Sequence, residues 1–438
     1  MGSFSTVRAI PKVEIKDVWY STPSNFATVL QYITSAEGAS RIATFLELYD
    51  YLVKVLNSYE LSVDKLAQIF NEPSLPASYC VKLITHPNMS FQRVIDMLYN
   101  PYLSADKEQS ILYALVDSGY YGLLLDILTY NAPSYTIRYN TTWTSGVNIV
   151  KNLTLQANLT LSTGPAVIIA DTISSTGSIY SGWIKGSGGT PGAPGAGRGG
   201  DGRGGIIILA KTITTLGYVY CIGGNGGSAS TVSASGGGGN GGGGLFYEVS
   251  GYPAGIGGNG GGTVGPGSKN GGGGGGMSYA PGGSGGVASV VTFNTLKDLV
   301  VELLKMACDW WLINVVGKTP TTYKTFPLLG GSGGGGGGAR VGSMASGGGG
   351  GGGGQIVVFA INMGSAVLYA MGGRGGNGGY EGAVDCGGGG GGGGLVYVAY
   401  KTLSGTITAD VSGRGGGSGD YGYSGASGTS GSVLTSAI

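Results

Sequence analysis

Short apolar runs recur at a near-constant distance through the second two-thirds of this chain, with glycine tracts between them. The runs open at Ala166 (Ala-Val-Ile-Ile-Ala), Ile206 (Ile-Ile-Ile-Leu-Ala), Leu245 (Leu-Phe-Tyr-Glu-Val), Val287 (Val-Ala-Ser-Val-Val), Ile356 (Ile-Val-Val-Phe-Ala) and Leu395 (Leu-Val-Tyr-Val-Ala). The separations are 40, 39, 42, 69 and 39 residues. They describe one unit with a single insertion of about 30 residues, and a fixed period marks a repeat architecture. The agreement continues past the first run: Ala170–Ile179 matches Ala210–Val219 in pattern, and Ala399–Ile407 repeats it with one residue fewer. Each unit reads as a strand, a short polar turn, a second strand and a glycine-rich loop. One such pair cannot cover its own apolar faces, whereas copies side by side share a core.

Glycine is the second constraint. The chain of 438 residues holds 95 glycines, and only 5 of them fall within residues 1–150. A flexible linker is the ordinary reading of such tracts. Linkers have no reason to recur at 40-residue intervals, so ordered layers are expected instead. Extended strands of the polyproline-II type leave every backbone N–H and C=O free to bond sideways, and glycine lets such backbones approach.

Residues 1–132 have a different character and read as a helical head for docking or oligomerisation. Phe45, Leu48, Tyr49, Leu52, Val55 and Leu56 recur at helical spacing. Further helices are expected at Phe26–Ser35, Val63–Phe70, Phe91–Tyr99, Ala105–Asp117 and Tyr121–Thr129, with Ser62, Ser90 and Ser104 placed to cap. Residues 133–165 form a β linker or cap, and 166–438 the repeats. The insertion, 293–320, places Leu296, Val300, Leu303, Leu304, Ala307, Trp311 and Val315 on one helical stripe. It is expected to cover the repeats or to join subunits, with Trp310 and Trp311 as the subunit contacts. Asp298, Glu302 and Asp309 read as its solvated face. The fold class is therefore α plus all-β: a small N-terminal helical bundle, then a glycine-rich β-solenoid of about six repeats with one helical insertion.

The tracts Gly347–Gly354 and Gly387–Gly394, followed by Ile356–Ala360 and Leu395–Ala399, resemble the glycine-rich β-solenoids of surface adhesins and viral tail-fibre tips, some of which layer polyglycine helices. The low charge, the 27 tyrosines and the Asn/Ser/Thr-rich spacer are also similar to virion proteins of thermoacidophilic archaeal viruses. The resemblance spans roughly residues 150–438 and implies a structural virion-surface or tail attachment protein. Its partners would be other copies of itself, other structural proteins, and a cell-surface glycan or protein receptor. A cell-surface or matrix scaffold protein and a polysaccharide-active β-helix enzyme are the alternatives.

Little in the chain supports catalysis. Only 11% of residues are charged and the formal net charge is +1, which argues against binding nucleic acid. Four separated cysteines and a single histidine, His86, suggest neither a disulfide framework nor a metal centre. No catalytic, cofactor or metal residue is assigned. Glu381 and Asp420 share a repeat phase but read as solvated, Asp385 beside Cys386 makes a weak ligand pair, and Gly200–Gly205 precedes a strand where phosphate cradles follow one. No secretory signal and no stretch fit to cross a membrane is read, so an extracellular location would be reached by another route, such as release inside an assembled virion. Tyr252, Tyr279, Tyr380, Tyr421 and Tyr423, on glycine loops, are the candidate receptor contacts. Asn88, Asn140, Asn152 and Asn158 open N-x-S/T triplets, and the last three would decorate the junction between the halves.

Overall fold

The computed structural model describes residues 61–161 except Ser74 and Ser145, then 166–180, 205–228, 291–326, 349–377, 389–418 and 427–438, with short pieces at 53–54, 56–57, 183–184, 202–203, 247–250, 271–272, 334–335 and at Gly425. The chain divides into two compact units, one comprising Met1–Ile127 with Leu304–Thr325, the other Leu128–Leu303 with Phe326–Ile438.

The described helices are α1 (Val63–Phe70), α2 (Ala77–Ile84), α3 (Phe91–Leu98), α4 (Ala105–Asp117), α5 (Tyr121–Leu128) and α6 (Leu296–Trp311). Ser62, Ser90 and Ser104 cap α1, α3 and α4, each hydroxyl accepting from the backbone N–H three residues on, at Lys65, Arg93 and Lys107. Such a cap is worth about 1 kcal/mol over alanine. Leu66, Ile69 and Phe70 of α1, Val94 and Leu98 of α3, and Ile111, Leu112 and Leu115 of α4 are buried. The helix expected at Phe26–Ser35 lies outside the described residues. Helix α2 carried no sequence expectation. It starts after Pro76, whose side chain makes no capping bond.

Among the described residues, the main sheet of the second unit holds ten strands: β1 (Tyr135–Ile137), β2 (Thr141–Trp143), β3 (Gly146–Leu155), β4 (Leu159–Leu161), β5 (Ala166–Tyr180), β6 (Ile206–Tyr220), β7 (Gln355–Tyr369), β8 (Leu395–Leu403), β9 (Ile407–Asp410) and β10 (Ser432–Ala437). They form a single sheet in the order β1-β3-β5-β6-β7-β8-β10, with β4 on β5, β2 on β4 and β9 on β7. Every pairing in it is parallel. This overturns the expected β-solenoid: these ten strands make one parallel sheet of the α/β type, and among the described residues it does not close. Among the described residues, the glycine segments after β6, on either side of β7, before β8 and after β9 bond to one another.

Two further expectations are corrected. First, Ile206 pairs directly with Ile356 and Ala166, so no strand from the Leu245 or Val287 copy stands between β6 and β7. Tyr247–Val249 instead pairs with Val291–Phe293 in a separate two-stranded sheet. The last unit also pairs Ile356 with Val396, one residue later than the sequence alignment that began it at Leu395. Second, the polar turn inside each unit is continuous strand in β5 and β6, with the register shifting near Ser174–Ser178. Thr176, Gly177 and Gly217 drop out of the ladder there and pairing resumes at Ser178 and Tyr218, while at the same level β8 ends at Leu403 and β9 begins at Ile407.

Burial explains the strand composition. The first five residues of β5 and of β6 are buried on both faces, which parallel strands meet with unbroken apolar runs. Further along, one face alone is covered: Ile179, Val219 and Leu368 are buried, while Tyr180, Tyr220 and Tyr369 between them are half-buried. Ile168, Ile208, Val358 and Val398 lie in one hydrophobic cluster on the inner face.

Candidate functional site

The sheet continues into a glycine lattice. After β6, the amides of Gly223 and Gly226 donate to Met371 and Arg374 in the segment after β7. Before β7, Gly350 and Gly353 donate to Gly389 and Gly392 before β8, while Gly351 and Gly354 donate to Gly224 and Cys221. Gly391 and Gly394 donate to Gly373 and Ala370, and Gly372 and Gly375 to Ser412 and Gly415. In each case donors three residues apart reach the same neighbour, and at Gly350/Gly351, Gly353/Gly354 and Gly372/Gly373 the adjacent residue reaches a different one. That is the geometry of a helix with three residues per turn and no internal hydrogen bonds. Positive φ among the described glycines is confined to Gly119, Gly146, Gly217 and Gly317, so conformational freedom is not what the lattice requires. Space is: a Cβ on Gly373 would collide with the Gly224 carbonyl, and one on Gly391 with that of Gly351.

On the outer face of the same sheet the structure assembles a row of tyrosines. Tyr180 of β5, Tyr220 of β6 and Tyr369 of β7 are register partners. Their rings stack with centroids 4.8 and 5.3 Å apart and planes within 12° and 21°, close to the spacing of strands, about 4.8 Å. Tyr218, two residues before Tyr220, joins at 5.9 Å from Tyr220 and 6.2 Å from Tyr369. It is 45% exposed. The stacked rings cover one another's faces. Burial, and then the nearby Tyr180, Tyr369 and Tyr218 phenols, hold the Tyr220 hydroxyl above its usual pKa, so it is an O–H donor at neutral pH. Lys211 and Asp171 lie earlier on the same strands. The row itself carries no formal charge.

The helical unit contains a buried polar clasp of a different kind. Asp309 is fully buried, which corrects its reading as part of a solvated face. Its carboxylate accepts from Gln109 Nε2 at 2.7 Å, Tyr113 Oη at 2.5 Å and Lys324 N at 2.7 Å. Lys318 Nζ donates to Glu108 Oε2 at 2.6 Å and to the Leu98 and Asn100 carbonyls. Glu108 is itself buried and its Oε1 has no hydrogen-bond partner; burial raises its pKa to about 7, against the opposing pull of Lys318. Asp106 accepts from the Thr321 amide and hydroxyl, and these bonds lower its pKa. Every acceptor or donor on the earlier side of this clasp, apart from the α3-end carbonyls, comes from α4. Its chemistry fastens Leu304–Thr325 to the helices and presents no open site.

The residues singled out from the sequence separate into three sets. Tyr252, Tyr279, Tyr380, Tyr421 and Tyr423 lie outside the described residues, as do Glu381, Asp385, Cys386 and Asp420. Trp311 is fully buried and meets Tyr99 edge-on at 5.5 Å; Trp310 is half-buried. Asn140 and Asn152 are exposed and Asn158 half-buried. Asn140 Oδ1 accepts from Asn158 N and Asn158 Oδ1 from Ser178 N, while Asn152 Nδ2 donates to Ser134. The tyrosine row was missed, although aligning Ala166 with Ile206 places Tyr180 and Tyr220 at the same phase.

Among the described residues no three His, Cys, Asp or Glu side chains gather as a metal site, and no helix is long and apolar enough to cross a membrane. Cys80, Cys221 and Cys308 are buried; burial pushes the Cys80 thiol up to about 12 and raises that of Cys308. No protein-family model, curated protein or solved structure matches the chain.

Proposed function

We propose that this protein is a non-enzymatic structural component of an extracellular assembly, such as a virion surface or tail, and that it attaches that assembly to a cell-surface glycan. The observation that carries the reading is the tyrosine row. Tyr180, Tyr220 and Tyr369 come from strands distant in sequence and meet at a regular step on a sheet whose other face is fully packed. A rigid row of phenol O–H groups suits a polymer that repeats its hydroxyls along its length. Tyrosine contributes contact area at small entropic loss. The glycine lattice supports the role of scaffold, since its segments are held mainly by backbone bonds, with Asn225 and Asn377 side chains accepting from the Arg374 and Ser418 amides.

The test is binding of the full chain to immobilised cell-envelope polysaccharide, compared with a Tyr218→Ala/Tyr220→Ala variant of unchanged fold. The variant is expected to bind at least tenfold more weakly, which corresponds to about 1.4 kcal/mol. Release of reducing ends during incubation would favour the polysaccharide-active enzyme instead. Absence of binding by the unmodified chain, or equal binding by the variant, would remove the attachment role.

A further inference from the structure

We infer that the edge strand β10 joins two copies of this chain by pairing with itself. The inference extends the assembly reading above by naming the contact, but it stands on separate residues. Strand β10 lies parallel to β8 with Leu395 opposite Ser432 and Tyr400 opposite Ala437. The amide of Ser432 donates to Gly394 O and that of Ile438 to Tyr400 O. Backbone direction alternates along a strand, so the amides of Leu434 and Ser436 also face β8. Those of Val433, Thr435 and Ala437 face the other way, where no further strand stands among the described residues.

The same three residues are the exposed ones. Val433 is in register with Val396, and Thr435 with Val398, both in the hydrophobic cluster. The apolar core therefore runs out at β10, leaving Val433 38% exposed. Edge strands are usually blunted by lysine, proline, a bulge or very short length. Ser-Val-Leu-Thr-Ser-Ala has no charge and no proline, and its pairing with β8 is unbroken over six residues. At the opposite end β1 and β2 are three residues each, and Pro133 and Arg138 flank β1. Among the described residues, one edge is guarded and the other is not.

The occupant that fits is a second β10. Laid antiparallel with Thr435 against Thr435 of the second copy, the outward amides meet as hydrogen-bonded pairs, Val433 opposite Ala437 and the reverse. The side-chain pairs are Thr–Thr and Val–Ala, with no charge opposed to a like charge. The arrangement is two-fold and closes on itself, as in the commonest oligomers.

Light scattering after gel filtration of the full chain tests it. The unmodified protein is expected to show the dimer mass. Thr435→Pro removes an outward N–H without touching the bonds to β8, so it should halve the mass and leave the melting temperature of the monomer fold unchanged. A second variant does not depend on tolerance of proline. Thr435→Cys should form an intermolecular disulfide under mild oxidation, beyond the level of the parent chain, because directly opposed Cα atoms lie about 5.5 Å apart. A monomeric parent, an undiminished mass in Thr435→Pro, or no extra cross-link in Thr435→Cys would overturn the inference. A monomer that still binds glycan would defeat this contact alone; a dimer that binds none would defeat the attachment reading alone.

Discussion

The amide of Gly373 donates to the carbonyl of Gly351 at 2.7 Å, and the Gly373 Cα lies so close to Gly224 that a methyl group there would collide with its carbonyl oxygen. Backbone thus packs on backbone from two sides at one residue. Alanine at Gly373 forces such a segment apart, and overpacking of this kind costs about 1–3 kcal/mol. Gly415 is the matched control. It accepts a bond from Gly375 but would carry a Cβ into open space, and alanine there should be neutral or slightly stabilising. Chemical denaturation should lower the midpoint for Gly373→Ala alone. Equal midpoints for the two variants would mean that the lattice does not need its glycines.

Much of the local structure is legible in the sequence, and the reason is that it is set locally. Ser62, Ser90 and Ser104 mark helix starts because a hydroxyl next to unpaired amides acts within one turn. The strands around Ile168, Ile208 and Val358 are legible because a parallel strand buried on both faces has no polar positions. The order of strands is not legible. A 40-residue period says that units are equivalent, not which unit lies beside which, and β6 chooses a partner 150 residues away over the next copy in sequence. The burial of Asp309 was hidden for a similar reason: Gln109 and Tyr113, which satisfy it, are some 200 residues earlier in the chain.

Asp309→Ala should destabilise the helical unit by about 3 kcal/mol, the scale for removing one partner from a buried charged network. Gln109 and Tyr113 would lose their acceptor. Tyr113→Phe is expected to cost less, and the double variant less than the sum of the two, because the residues share one network. Urea unfolding followed by far-UV circular dichroism measures all three. Strict additivity would show that Asp309 and Tyr113 act independently.

The Glu108–Lys318 pair makes stability depend on pH with a definite sign. Burial raises the Glu108 pKa from 4.5 to about 7, so between those values the folded chain holds a proton that the unfolded chain has released. Its stabilising contribution is complete below about pH 4.5 and is lost as pH rises through about 7, with a size on the order of a few kcal/mol. Glu108→Gln keeps an acceptor for Lys318 and removes the ionisation, so the helical unit's stability should become flatter across this window. Unfolding curves at several pH values, for both proteins, decide the matter; parallel slopes would contradict it.

Ultraviolet titration of the tyrosines should reveal phenols that ionise late, among them Tyr220 and the buried Tyr121. Tyr180→Phe and Tyr369→Phe should each bring the Tyr220 ionisation to lower pH, because the neighbouring phenols oppose a second negative charge. Burial is the largest single cause and Tyr218 remains in place, so the ionisation should stay above that of free tyrosine even in the double variant. A full return to the free value would assign the whole effect to the neighbours.

The glycine runs are tied to neighbours on several sides by groups that neither ionise nor oxidise. Acid that would protonate carboxylates elsewhere leaves those bonds as they are. Gly351 and Gly354 bond to the segment after β6 while Gly350 and Gly353 bond to the one before β8, so a pull on that run is shared between two neighbours. Cohesion of that sort should outlast a change of acidity that loosens ion pairs.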